Sequence, residues 1–242
     1  MLNSFFYIFQ VRELTMSQAP FTETDPSQDQ TRKITKERQF KGLSLAERKQ
    51  ARREKLIEAG IQTYGTQGFF SVTVKDVCTE AKLTERYFYE SFKKSEHLFQ
   101  SIFLQLIENL EHTVMQAIVH STPDPKLMVK SGLTALFELL KNDPRMARII
   151  YIDAMLVQEL HQQATIRETM GRFDRMIHAF VMAMIPQIQV SEDEISLVAT
   201  GLNGYVTQIA IRWVMGGFVQ SQAQIVSACE VVFLSLLEKY MH

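Results

Sequence analysis

Nine residues, Thr84-Glu-Arg-Tyr-Phe-Tyr-Glu-Ser-Phe92, crowd hydroxyls, a guanidinium and aromatic rings into one short stretch. Written as a helix, the stretch has two faces. Phe88 and Phe92 stand at i and i+4, with Leu83 near them at the start, and form an apolar side that can lock onto neighbouring helices. The other side shows Thr84, Glu85, Arg86, Tyr87, Tyr89 and Ser91. Hydroxyls there suit phosphate contacts, and an Arg suits a base edge in a major groove. Glu85 can accept from cytosine N4, or it can pair with Arg86 or Lys82. The chemistry on offer is recognition of a nucleic acid, although from these residues alone the two Tyr could equally pack against adjacent helices.

Bond-making chemistry is not supported. The six His, at 97, 112, 120, 161, 178 and 242, are scattered. Only Glu159-x-His161 and the pair His112/His120 suggest a site, and two ligands do not make a metal centre. No Gly-rich phosphate loop, nucleophile elbow or paired His-Glu helix motif occurs. Cys78 and Cys229 lie far apart in apolar contexts. They read as small buried hydrophobes in a reducing cytoplasm. The expectation is a non-enzyme with no cofactor and no metal.

Positioning such a helix needs a scaffold, and the chain supplies helices throughout. Only ten Gly and six Pro interrupt 242 residues, and long amphipathic runs with few breakers argue for an all-α protein. Ser44, with Glu47 three residues on, is a capping box for a helix to about Thr66, closed by Gly65 and Gly68. Thr73 caps a helix from Val74 to Ala81, and Lys82-Leu83 is the turn. Thr84 caps the helix Glu85 to Phe92. Ser95 opens a long helix to about His120, and Pro123 and Pro125 break it. Further helices are expected from Lys126 to Asn142 (Leu127, Leu133, Leu136, Phe137 and Leu140 inward), briefly after Pro144, and from Leu160 to Ile185. Two more run from a Ser191 cap to Gly216 and from Ser221 to Tyr240.

Charge divides the chain. Residues 1–100 carry 16 Lys and Arg against 13 Asp and Glu, whereas residues 101–242 carry 10 against 14. Between Arg32 and Glu58 ten basic residues face four acidic ones. A basic front on an acidic body suits an N-terminal part that meets a polyanion. Residues 1–43 read as a flexible leader turning basic toward Lys41. Its FFYIF segment lacks a basic flank and a cleavage site, and is too short to span a bilayer. Met16 is the expected start of translation. The apolar run Ile209 to Val219 is broken by Arg212 and Gly216-Gly217, so no membrane association is expected.

The segment from about Arg48 to Phe99, a fifth of the chain, resembles the DNA-binding domain of TetR-type bacterial regulators. The residues that carry the resemblance are Ala59 to Phe69 with Tyr64-Gly65 and Gly68-Phe69, Thr73-Val74-x-Asp76-Val77, Ala81, Leu83-Thr84, Phe88-Tyr89, Phe92 and Glu96-x-Leu98. The resemblance implies a helix-turn-helix head over residues 44–93 and a larger helical domain for effector binding and dimerisation over 94–242. It implies that Thr73 and Tyr89 contact phosphates, that Thr84, Glu85, Arg86 and Tyr87 face the groove, and that Ser91 lies near the DNA backbone. Arg52, Lys93 and Lys94 are the expected general phosphate contacts. Two positions depart from the family pattern. Lys82 stands where a Gly is usual, at positive φ, and Ser95 stands where a Lys is usual. Lys93, Lys94 and the free amides of the helix that follows can take over that phosphate contact.

In the C-terminal half, Met and aromatic residues cluster. They are ordinary core filler and also the makings of a pliable apolar pocket. The resemblance favours a pocket, lined by Tyr151, Met155, Met170, Phe173, Met176, Phe180, Asn203, Gln208 and Trp213, for a small apolar or amphipathic effector. Asn203 and Tyr205 lie on different faces of their helix. The last helix, with Val226, Val231, Val232, Phe233, Leu234, Leu236 and Leu237, is apolar on more than one face and needs two partners. One is its own core, and the second is another copy, giving a homodimer that reads a palindrome in double-stranded DNA. The chain reads as a cytoplasmic, ligand-responsive transcriptional repressor. A helical small-molecule carrier with a degenerate DNA-binding head is the alternative, marked by low DNA affinity even at low salt.

Overall fold

Ser44 opens α1 (Leu45–Gln67): its hydroxyl accepts from the Glu47 amide, and the Glu47 carboxylate accepts from the Ser44 amide at 2.6 Å. Each bond satisfies a donor that the helix end leaves open. Gly68 ends α1 at φ 91°, with its amide donating to the Tyr64 carbonyl at 2.7 Å. In this computed structural model residues 44–158, 160, 168–169, 171–185 and 190–241 are described. Among them every regular element is helical.

A single 3-10 turn (Phe69–Ser71) leads to Thr73, which repeats the capping box with Asp76 at the start of α2 (Val74–Glu80). The turn after α2 closes with the Leu83 amide on the Cys78 carbonyl (2.9 Å) and the Lys82 amide on the Thr79 carbonyl (3.1 Å). This is the Schellman pattern, which places Lys82 at the left-handed position. Lys82 indeed sits at φ 55°, so the turn forms without Gly, at the steric cost of a Cβ there (about 1 kcal/mol). The helices α3 (Glu85–Ser91) and α4 (Ser95–Val119) follow.

The head is closed by Leu56 and Tyr64 from α1, Val77 from α2, Phe88 from α3 and Phe99 from α4, all fully buried. The rings of Phe69 and Phe99 meet edge to face at 4.9 Å, and Tyr64 lies 5.9 Å from Phe99. A Cβ on Gly60 would fall 2.5 Å from the Cδ1 tip of Ile102, so Gly60 lets α1 and α4 approach closely with Ile102 in its present rotamer. Beyond Ile102, α4 carries Leu110, Val114 and Ile118 into the C-terminal body.

The body contains α5 (Pro125–Asn142), α6 (Pro144–Arg148), a π-helical turn (Ile149–Asp153), α7 (Ala154–Leu156), α8 (Arg172–Met184), α9 (Glu192–Met215) and α10 (Gln222–Met241). Asp124 caps α5 by accepting from the Lys126 and Leu127 amides. The helix α5 packs against α4 and α10, and α8 against α9. Of the helix expected from Leu160 to Ile185, residues 161–167 and 170 lie outside the described part; Leu160, Glu168 and Thr169 are helical, Gly171 is a turn, and α8 follows. Two features differ from expectation. Leu127, expected inward, is exposed, because it sits in the first turn of α5 ahead of the buried face. The π-helical turn was not foreseen, since its IIYID run carries no periodicity to distinguish it from α-helix.

Head and body meet where the end of α1 lies on α6. A Cβ on Gly65 would collide with the Arg145 backbone, its Cα at 2.8 Å, and a Cβ on Gly68 would meet the Arg148 guanidinium at 2.5 Å. Arg145 donates to both Asp143 oxygens (2.9 and 2.8 Å) and to Gln62 on α1 (2.6 Å). The buried Asp153 carboxylate accepts from the Phe69 amide at 3.3 Å, with Arg148 Nε 3.6 Å away. Burial pushes the Asp153 carboxyl up from its ordinary value, and the Arg148 charge and the Phe69 bond pull it partly back.

Candidate nucleic-acid interface and effector cavity

The apolar side of α3 is placed as expected. Phe88 is fully buried, Phe92 is buried, and their ring centroids stand 5.8 Å apart. The other side faces outward, with Thr84, Glu85, Arg86 and Tyr89 exposed and Tyr87 and Ser91 half-buried. Thr84 occupies the N-cap position, but its side chain makes no capping bond. The expected capping role of its hydroxyl is not observed.

Electrostatics on this face centre on Glu90. Arg86 Nε lies 3.3 Å from one Glu90 oxygen, and Arg52, reaching over from α1, lies 3.5 Å from the other. The Arg52 guanidinium also stands 4.4 Å above the Tyr87 ring. Glu90 therefore takes the pairing role that sequence reasoning offered to Glu85, because i and i+4 are neighbours on a helix surface and consecutive residues are not. Arg86 remains 85% exposed at its side chain, and an exposed pair of this kind holds it weakly. Arg52, expected as a general phosphate contact, also stands where it fixes the Tyr87 ring from one face. A second such stack, Arg53 over Phe92 at 5.1 Å with a bond to Ser101 Oγ, was not foreseen.

Thr73 is exposed, with its hydroxyl donating to the Asp76 carboxylate at 2.6 Å. That bond, more than the backbone bond from Thr73, holds the Asp76 carboxyl below its ordinary range. Lys93 and Lys94 are exposed at the start of α4, where Lys94 Nζ lies 3.9 Å from Glu96. Lys94 occupies the N-cap position of α4, and its side chain makes no capping bond.

In the body a cavity of about 70 Å³ opens between α4, α5, α8, α9 and α10. Phe173, Met176, Phe180 and Asn203 line it, as expected. Val114, Ile118, Leu133, Val206 and Phe233 line it too and were missed, because each reads as unremarkable core in sequence. Phe180 and Phe233 also wall a second, smaller void of about 10 Å³. Four expected lining residues lie elsewhere. Tyr151 is buried in the π-helical turn, where burial raises its phenol well above the ordinary value. Met155 and Gln208 are exposed. Trp213 is packed edge to face on Phe137 (5.6 Å) and Phe218 (4.9 Å), with its Nε1 donating to the Gln220 carbonyl. Met170 lies outside the described residues. Tyr205, on a different face of α9 from Asn203 as expected, donates to the Ala228 carbonyl.

The far side of α9 exposes Leu197 (72%), Gly201, Gly204, Gln208 and Met215 (70%), and α10 exposes Ala228 and Val231 (62%). A Cβ at Gly201 or Gly204 would meet nothing within 4 Å. Among the described residues no helix is long and apolar enough to cross a membrane.

No family model matches the chain. A probable acrEF/envCD operon repressor of Escherichia coli (strain K12) is 24% identical over 170 residues, covering 67% of this chain and 76% of the relative. A TetR-family transcriptional regulator from Pectobacterium atrosepticum superposes with a TM-score of 0.62 at 16% identity, covering 82% of this chain and 97% of that one. The fatty acid degradation regulator FadR from Bacillus halodurans superposes with a TM-score of 0.63 at 16% identity, covering 76% and 94%. The chain has the TetR-type fold. The transcriptional regulator FadR from Bacillus subtilis, solved in complex with stearoyl-CoA, shares it at a TM-score of 0.61 and 14% identity, covering 75% of this chain and 97% of that one. In the TetR-type layout α2 and α3 form the helix-turn-helix, and the cavity lies in the C-terminal helical domain.

Proposed function

We propose that this chain is a ligand-responsive transcriptional repressor that binds a palindromic operator in double-stranded DNA as a homodimer. The observation that carries the proposal is the outward face of α3, with Thr84, Arg86 and Tyr89 exposed on a helix locked in place by buried Phe88 and Phe92. Arg86 and Glu85 read base edges, with Tyr87 held ready by Arg52. Thr73, Tyr89, Ser91, Lys93 and Lys94 bind phosphates, and Arg52 adds positive charge beside them. The exposed small and apolar residues along α9 and α10 support a four-helix interface with a second copy. A small apolar or amphipathic effector enters the body cavity and releases the DNA. It acts by binding the DNA-free arrangement better, since a ligand shifts a population only by its differential affinity. The seam of Gly65, Gly68, Arg145 and Asp153 links the cavity-bearing body to the head. The identity of the Escherichia coli relative supports repression as the output, and the reading places the protein in the cytoplasm.

Selection of bound duplexes from a random DNA pool tests the proposal. The expected product is a palindrome bound with an affinity that falls steeply with salt. Recovery of no preferred sequence, with weak binding even at low salt, would reject it in favour of a small-molecule carrier.

A further inference from the structure

We infer that the molecule held in the body cavity presents a hydrogen-bond donor at its polar end, a hydroxyl, amide N–H or ammonium, and not a carboxylate. The inference rests on reading that cavity as the effector site. Asn203 is the one polar side chain among the described residues that line the cavity. Its neighbour decides which way its amide faces. Asn203 Nδ2 lies 2.6 Å from Asp174 Oδ1, and a carboxylate only accepts, so the nitrogen must point to Asp174. The other Asp174 oxygen accepts from Thr200 Oγ1 at 2.9 Å. Asn203 Oδ1, an acceptor, is the atom left to meet a ligand in an otherwise apolar chamber.

The surrounding charges agree. Asp174 stands directly behind the amide, polarises it and repels an anion brought to the same end. Arg172, beside Phe173, is committed to Glu111 at 2.9 Å, with both side chains largely buried. Arg175 is exposed and donates to the Glu168 carbonyl. His178, one turn beyond Asp174, has a buried Nε2 without a hydrogen-bond partner, and it is not among the described residues that line the cavity. Among the described residues that line the cavity none is cationic, so a ligand carboxylate there would have to displace Glu111 from Arg172, reach past the lining to His178, or leave its own charge unpaired in an apolar site, all of which are unfavourable. A donor on Oδ1 displaces nothing.

Three probes of equal chain length separate the possibilities: decan-1-ol, decylammonium and decanoate, titrated at neutral pH into the full chain. Binding is followed by calorimetry and by the fluorescence of Trp213, the chain's single Trp. Decan-1-ol and decylammonium should bind at least about tenfold more tightly than decanoate, the difference made by one satisfied donor against one unpaired anion. Asn203→Leu should weaken decan-1-ol about tenfold, by removing the acceptor for its hydroxyl, and leave decanoate within about twofold of its affinity for the parent, while Met176→Trp, which fills the cavity, should abolish all binding. Decanoate binding as tightly as decan-1-ol, with Met176→Trp still blocking both, would overturn the donor requirement and leave the cavity as the effector site. Decan-1-ol affinity left unchanged by Asn203→Leu would equally overturn it. Binding by none of the probes, or binding that Met176→Trp does not touch, would overturn the effector site and this inference with it.

Discussion

Both halves of the molecule are built from amphipathic helices, yet the head fills its interior and the body does not. In the head, Leu56, Tyr64, Val77, Phe88 and Phe99 are fully buried and the aromatic rings interlock at about 5–6 Å. In the body, five helices leave about 70 Å³ empty. A core that keeps such a void is suited to admitting a ligand, whereas a filled core is suited to holding one surface rigid. The contrast supports the proposed division of labour, with rigidity in the half that would present Arg86 and Tyr87 to DNA and looseness in the half that would take the effector.

The largest expected effect tests that contrast directly. Phe88→Ala should destabilise the protein by about 3–5 kcal/mol, because a fully buried ring leaves a new hole in a filled core. Met176→Ala enlarges an existing cavity and should fall near the low end of the range for such truncations, about 2 kcal/mol. Denaturant titration of both variants measures the difference. If Met176→Ala proved as costly as Phe88→Ala, the body would be as tightly packed as the head and the contrast would be wrong.

Gly65→Ala comes next, at the seam between the halves. The added Cβ meets the backbone of Arg145, not a side chain that can swing aside, so we expect a loss of about 1–3 kcal/mol. If the seam transmits the effector signal, this variant should also weaken the effector's power to release DNA, measured by titrating effector onto the operator complex. Destabilisation with undiminished release would move the coupling to α4, the helix that runs through both cores.

Arg86→Ala should leave folding unchanged, since its side chain is 85% exposed. It should relax operator preference by about 1–3 kcal/mol at one base position. Arg52→Ala sharpens the picture of the head. A pure phosphate contact would weaken all sequences alike and lower the salt slope by about one. Because Arg52 also stacks on Tyr87 and pairs with Glu90, its loss should additionally alter preference wherever Tyr87 reads. Competitive binding to a panel of operator variants distinguishes the two outcomes.

The head was far more legible in sequence than the cavity, for a physical reason. Helix caps, the Phe88/Phe92 spacing and the turn at Lys82 are local, set within a few residues, and the chain spells them out. Even the Lys82 departure forecast a positive φ, which the turn adopts. Cavity walls are set by five helices meeting, so Val114 and Phe233 look no different from any other buried residue, and Met155 and Trp213 looked like walls but point elsewhere. One signal was overlooked. Asp153, a lone acid inside the apolar run Ile149 to Met155, was readable as a buried polar group needing partners, and it turned out to tie Phe69 of the head to Arg148 of the body.

The smallest expected effect concerns that tie and sets the two carboxylates of the seam against each other. Arg145 donates to Asp143 and holds its carboxyl below the ordinary value of 3.8. Its contribution is therefore present above pH 3.8 and is lost as pH falls through the lower, folded-state value. Asp153 is shifted the other way by burial. Its contribution is present below pH 3.8 and is lost as pH rises through the higher, folded-state value. Relative to the parent, Asp143→Asn should be less stable at neutral pH, by under about 1 kcal/mol for a pair this exposed, and should converge with it in acid. Asp153→Asn keeps an acceptor for the Phe69 amide and removes the buried charge, so its stability relative to the parent should rise with pH through the same region. Melting temperatures of the three proteins across the acid range measure both slopes. If the two variants diverged from the parent in the same direction, Asp153 would be paired as fully as Asp143. The seam would then be a rigid clasp and not a junction that holds one of its charges at a disadvantage.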